Sequence, residues 1–169
     1  LCSAADPAQV WAVVKADGYG HGAVGAARAA LEGGASALCV ATAGEGTDLR
    51  EAFPSVRILV MSPLASGDEA PARDARLELA LSSSEVPDGV DGHLQGDAGM
   101  GRWGMTPDEA LTVPRARVVG VMSHLATAEE PDESFACEQI GRFEEVRAAF
   151  PGVAAHLANS AGTLRFPGA

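Results

Sequence analysis

Short runs of apolar, β-branched or small residues recur along this chain, and several are continuous where a half-exposed strand would alternate. They are Val10–Val14, Ala37–Ala41, Arg57–Met61, Leu77–Leu81, Val90–Leu94, Val118–Met122 and Val153–Leu157. A strand that is apolar at every position is buried on both faces, the condition of a parallel sheet covered by helices. Helix-like pieces lie between the runs. Gly22 to Glu32 carries Val24, Ala27 and Leu31 at helical spacing and stops at Gly33-Gly34, a natural helix end. Glu133 to Phe150 places Ile140, Phe143, Val146 and Phe150 on one stripe. Asp132 or Ser134 can cap its start, and Pro151-Gly152 closes it. Strand alternating with helix predicts a parallel α/β sheet, either open and doubly wound or closed as a barrel. The pattern alone does not choose. One connection is short: Ser82 to Gly89 separates the fourth and fifth runs, whereas a parallel crossover normally needs about a dozen residues or more. One helical turn at most is expected there.

A chain of 169 residues reads as one domain with a sizeable core. Apolar residues at 47% and charged residues at 21% place it among ordinary globular proteins. The net charge of −11 would be repelled by a phosphate backbone, so general nucleic-acid binding is not expected. One local basic site for a small phosphate stays compatible with that balance. No apolar run approaches about 18 residues, so no membrane span is expected. Cys2, Cys39 and Cys137 are far apart and odd in number, which suits a reducing cytoplasm better than a disulfide framework. Cys39, inside an apolar run, reads as a buried thiol. The start, Leu1-Cys2-Ser3-Ala4, has no basic n-region and no initiator Met, and reads as the edge of a fragment.

Four segments carry chemistry. In Val13-Val14-Lys15-Ala16-Asp17-Gly18-Tyr19-Gly20-His21-Gly22, a lysine ends an apolar strand. Partial burial there lowers an amine's pKa, and the neutral amine can attack an aldehyde to form a Schiff base. The glycines after it let backbone amides approach a ligand before a helix start. A surface lysine at a strand end is the plain alternative. Gly96-Asp97-Ala98-Gly99-Met100-Gly101-Arg102-Trp103-Gly104 contains a literal G-x-G-x-x-G. Thr106-Pro107 looks like the next helix start, so these glycines do not open a helix as a dinucleotide fingerprint requires. Ser123-His124-Leu125-Ala126-Thr127 and His156-Leu157-Ala158-Asn159-Ser160-Ala161-Gly162 follow apolar strands. Neither shows a metal-ligand spacing or a nucleophile elbow, so no metal is expected. Lys15, Arg102, His124 and Ser160 all fall at or just past C-terminal ends of proposed strands, where parallel α/β folds build their sites. Amine, guanidinium, imidazole, hydroxyl and glycine amides together suit an aldehyde that carries a phosphate.

Taken together, these segments resemble the alanine racemase family. Ala12 to Gly22 is similar to its cofactor-lysine signature, and His93 to Gly104 to its fifth-strand segment. Val121 to Thr127 and His156 to Pro167 follow in the family's order. The resemblance implies a (β/α)8-type (TIM) barrel, incomplete here with about seven strands. Residues 1–169 would be its N-terminal pyridoxal-phosphate-binding part, with a β-rich C-terminal domain absent. It implies interconversion of L- and D-alanine for cell-wall precursor supply, pyridoxal 5'-phosphate as cofactor, and a homodimer when full length. Lys15 would hold the cofactor and serve as one base at Cα. Tyr19 and Ser160 would contact the phosphate, with Asn159 beside them, while Arg102 would reach the phenolic oxygen and His124 would flank the pyridine ring. Two rival functions are a non-catalytic pyridoxal-phosphate-binding barrel and a dinucleotide-binding module.

Two departures from the family stand out. Tyr19 is the chain's one tyrosine, so the opposite-face base has no candidate here, and residues 1–169 alone are expected not to racemise. Gln95 stands where many relatives have a modified lysine that orients the arginine, and an amide–Arg102 hydrogen bond is expected instead.

Overall fold

The computed structural model describes residues 1–168, and two compact units divide it. The first holds Cys2–Ala80 with Pro87–Asp91. Its elements run α1 (Cys2–Ala5), β1 (Trp11–Val13), α2 (Lys15–Tyr19), α3 (Ala23–Glu32), β2 (Ala37–Val40), α4 (Ala43–Ala52), β3 (Arg57–Val60), α5 (Glu69–Asp74) and β4 (Glu78–Leu81). The strands pair in parallel in chain order. Trp11 to Val13 face Ala37 to Cys39, Ala37 to Val40 face Arg57 to Val60, and Leu59-Val60 face Glu78-Leu79. β2 is buried at every position, which is why its sequence does not alternate. Cys39 lies within it, and burial, with Glu78 adding to the effect, pushes its thiol up to about 12. It is the inert buried thiol that its sequence context predicts.

The second unit holds Leu81–Val86 and Gly92 onward. Here β5 (Gly92–Gln95), β6 (Val118–Met122) and β7 (Ala154–His156) pair in parallel, with His93 opposite Gly120 and Met122 opposite His156. α6 (Pro107–Ala110) and α7 (Ser134–Ala149) lie between the strands, and α8 (Ser160–Arg165) follows β7. All seven apolar runs thus contain a strand, each shifted by two residues at most. Residues 82–91 form bends and a turn without a helix.

Gly120 is dictated by packing. His93 is fully buried, and a Cβ at residue 120 would collide with its Nδ1. The missing side chain lets the His93 ring lie edge-on to His156 of β7, with centroids 4.9 Å apart. α7 departs from the expected stripe. Phe143, Val146 and Phe150 are buried, but Ile140 is only half-buried and Gln139 is fully buried. That amide is satisfied: Gln139 Oε1 accepts the Ala126 N–H at 2.8 Å and Nε2 donates to the His124 carbonyl at 3.0 Å. Neither expected cap is the N-cap, which is Glu133 and makes no side-chain cap bond; Asp132, one residue before it, accepts the Ser134 N–H at 2.9 Å.

In the first unit one arginine gathers several chain ends. The Arg50 guanidinium on α4 donates to the carbonyls of Ala75 (2.7 Å), Phe53 (2.9 Å), Val56 (2.6 Å) and Arg76 (3.0 Å). These belong to the end of α4, the approach to β3 and the turn before β4. Charged hydrogen bonds are the stronger kind, so Arg50→Met is expected to lower stability by about 2–3 kcal/mol. Urea unfolding of the full-length protein measures this, and an unchanged midpoint would contradict it.

Candidate functional site

β1 ends at Val13, and buried Val14 leads to a half-buried Lys15. The backbone then takes a course that L-residues avoid. Ala16 (φ 51°, ψ 53°), Asp17 (φ 52°, ψ 48°), Gly18 (φ 62°, ψ 39°) and Tyr19 (φ 55°) form a left-handed turn. That conformation costs a non-glycine residue about 1–2 kcal/mol, and three of the four carry a side chain. At Gly18 a side chain would also crowd the helix that follows, because a Cβ would lie 2.9 Å from Ala26 Cβ.

Such strain persists only where surrounding contacts over-determine it. Here they do. Gly18 N–H donates to the Val14 carbonyl at 2.9 Å and Gly20 N–H to that of Ala16 at 3.0 Å. Asp17 Oδ1 accepts the Ala23 N–H at 2.7 Å, tying the turn to the start of α3. Glu45 reaches in from α4: Oε1 accepts the Ala16 N–H at 2.7 Å, while Oε2 accepts those of Ala41 (2.8 Å) and Thr42 (3.2 Å). Lys15 and Tyr19 therefore sit on one braced turn, with the Tyr19 residue 60% exposed.

Glu45 is the residue that the motifs leave unmarked. Its signal is present as Thr42-Ala-Gly-Glu45, a capping-box pattern, and both reciprocal bonds of that box are formed. The pattern announces a helix start but not that the same carboxylate braces the residue after Lys15.

In the second unit, the loop after β5 is tied at both ends. Met105 N–H donates to the Gln95 carbonyl at 2.8 Å, and Asp97 N–H to the Met105 carbonyl at 2.9 Å. Asp97 Oδ1 accepts the N–H groups of Gly99 (2.8 Å) and Gly101 (3.0 Å). Backbone donors, Gly101 first among them, hold its carboxyl below the usual aspartate range. The glycines thus close a loop on an aspartate, and the next helix, α6, is capped by Thr106. This is not dinucleotide-fingerprint geometry. The loop presents an exposed Arg102, whose guanidinium carbon lies 5.8 Å from the Trp103 ring centre. Gln95 does hydrogen-bond Arg102, but at the main chain: its Nε2 donates to the Arg102 carbonyl at 3.1 Å.

His124 follows β6, half-buried, in a segment whose backbone is held by Gln139. Asn159 caps α8, accepting the Gly162 N–H at 2.8 Å, and its Nδ2 reaches the Leu125 carbonyl at 3.5 Å. The ends of β6 and β7 are thereby joined beside His124. Ser160 opens α8 and is exposed. Arg102, His124, Asn159 and Ser160 are carried by the second unit, and Lys15 and Tyr19 by the first. Each follows the C-terminal end of a strand in its own unit.

The family description "Alanine racemase, N-terminal domain" matches residues 1–169. An alanine racemase of Beutenbergia cavernae is 40% identical over 190 residues, covering 97% of this chain and 50% of that protein. One of Desulforamulus reducens is 39% identical over 183 residues, covering 94% of this chain and 50% of its own length. Among solved structures, the alanine racemase of D-cycloserine-producing Streptomyces lavendulae superposes with a TM-score of 0.88 at 31% identity. That match covers 98% of this chain and 50% of the other. The chain spans about half the length of the curated relatives it matches. The expected fold class, an incomplete (β/α)8-type barrel with seven strands among the described residues, is borne out. By sequence and by fold, the chain belongs to the alanine racemase family and corresponds to its N-terminal domain.

Proposed function

We propose that residues 1–169 form the pyridoxal-phosphate-binding part of an enzyme that interconverts L- and D-alanine and so supplies D-alanine for cell-wall precursors. The observation that carries this reading is the placement of Lys15: a half-buried primary amine at a strand end, held by a left-handed turn that side-chain carboxylates brace. The donor chemistry fits the cofactor. An amine suits its aldehyde, the hydroxyls of Tyr19 and Ser160 suit its phosphate, and the Arg102 guanidinium suits its phenolic oxygen. The Asn159 side chain keeps Ser160 at the head of α8 by capping that helix. The half-buried His124 offers an imidazole to flank the pyridine ring.

When bound, pyridoxal phosphate spreads the negative charge that develops at Cα as its proton leaves. The chain's own part is to hold and orient. Lys15 anchors the cofactor and then moves a proton at Cα on one face. Tyr19, the one tyrosine of this sequence, is assigned to the phosphate and does not serve the other face. The full-length enzyme acts as a homodimer in the cytoplasm. Among the described residues no helix is long and apolar enough to cross a membrane.

Borohydride reduction of the full-length protein with pyridoxal phosphate, followed by peptide mapping, is expected to fix the cofactor on Lys15. A label on another lysine, or none with cofactor in excess, would sink the assignment. Lys15→Ala is expected to lower alanine racemisation by at least about 10²- to 10⁴-fold, the range for loss of a positioned base. Gln95→Ala removes one neutral hydrogen bond from the Arg102 loop and is expected to lower kcat by about 2- to 10-fold. Cofactor loading at Lys15 should survive that change, and equal loss of both would show that Gln95 acts elsewhere.

A further inference from the structure

The structure assigns Glu45 a second role beyond capping α4: it is the positioning residue for Lys15. This inference rests on the cofactor-lysine reading above and deepens it. A left-handed turn, like a right-handed one, leaves its first N–H groups without partners inside the turn. The first of these belongs to Ala16, the residue that immediately follows Lys15, and Glu45 Oε1 takes it at 2.7 Å. The other oxygen takes the Ala41 and Thr42 N–H groups just past the end of β2. β1 and β2 are paired neighbours, with Val13 opposite Cys39 and the Val14 N–H donating to the Cys39 carbonyl at 2.9 Å. One carboxylate therefore spans the ends of two adjacent strands and fixes the peptide from which the Lys15 side chain departs.

The two duties of Glu45 are separable. Helix capping uses the Thr42 hydroxyl and the Glu45 N–H, together with the Thr42 N–H and the carboxylate. Bracing of Lys15 uses only Oε1 and Ala16. Thr42→Ala removes the hydroxyl and leaves the carboxylate on Ala16. Glu45→Ala removes both duties. Glu45→Gln keeps the side-chain length but offers one acceptor oxygen for donors that approach from two sides, so it cannot serve Ala16 and Ala41 together.

The test uses the full-length protein with these three variants and two readouts. One is amide hydrogen exchange over residues 15–20 without cofactor. The other is the dissociation constant for pyridoxal phosphate itself, followed by its absorbance. Glu45→Ala and Glu45→Gln should speed exchange in that segment and weaken cofactor binding by about tenfold or more, the worth of a charge-assisted hydrogen bond. Thr42→Ala should change neither readout by more than about twofold, whatever it does to Tm. If Thr42→Ala matched Glu45→Ala in both, Glu45 would be a helix cap alone and the assignment would fall. If Glu45→Ala does not fold, Glu45→Gln decides the question. If the unmutated protein takes no cofactor at Lys15, the cofactor reading fails by itself, and the exchange comparison still judges the bracing by Glu45.

Discussion

A parallel strand cannot meet its neighbour through a tight turn, because the chain must first travel back to the end from which the strand began. In both units the strands are therefore joined by returns that carry helices, the helix-free stretch 82–91 after β4 excepted, and what leaves a strand's C-terminal end is a loop with its own conformational demands. Those loops carry the residues of the proposed site: Lys15 after β1, Arg102 after β5, His124 after β6 and Ser160 after β7. Burial at every position of β2 and β5 stiffens the scaffold, while β1 and β7 are only partly covered. The loops gain no such support from apolar packing and must be fixed another way.

They are fixed by polar side chains aimed at main-chain groups. Glu45 and Asp17 hold the turn after Lys15, Asp97 and Gln95 hold the loop of Arg102, Gln139 holds the backbone around His124, and Asn159 holds the start of α8. A buried main-chain N–H or C=O left without a partner is costly, so a side chain that fills this need both removes the penalty and selects one loop conformation. Amides and carboxylates suit the task because they are short and present acceptors in a fixed plane. Gln139 shows how far this goes: a polar residue occupies a fully buried position on α7, where periodicity alone would place an apolar one.

The strands were legible because their signal is simple. Apolar runs as continuous as Ala37–Ala41 have one good physical explanation, and each of the seven runs overlaps a strand. α3 and α7 could be read from helical spacing and from their glycine and proline stops. α4 was not, since Ala43-Gly-Glu-Gly-Thr-Asp-Leu49 has little apolar periodicity and only its capping box marks it. The candidate site was proposed from its motif residues, and its supports were not legible in the sequence. Ala16, Asp17 and Tyr19 are ordinary residues in a conformation that sequence reasoning reserves for glycine. Nothing local tells that a carboxylate 29 positions away makes this conformation tolerable.

The contact between Gln95 and Arg102 has a consequence for the conditions under which the loop keeps its shape. The modified lysine that the family resemblance implies at this position, if it is a carbamate, would exist only while carbon dioxide and an unprotonated amine are in equilibrium with it. Its occupancy therefore follows bicarbonate and acidity. A glutamine amide takes up no gas and releases no proton between acid and base. The tether from Gln95 to the Arg102 carbonyl thus needs neither carbon dioxide nor the loss of a proton in order to form.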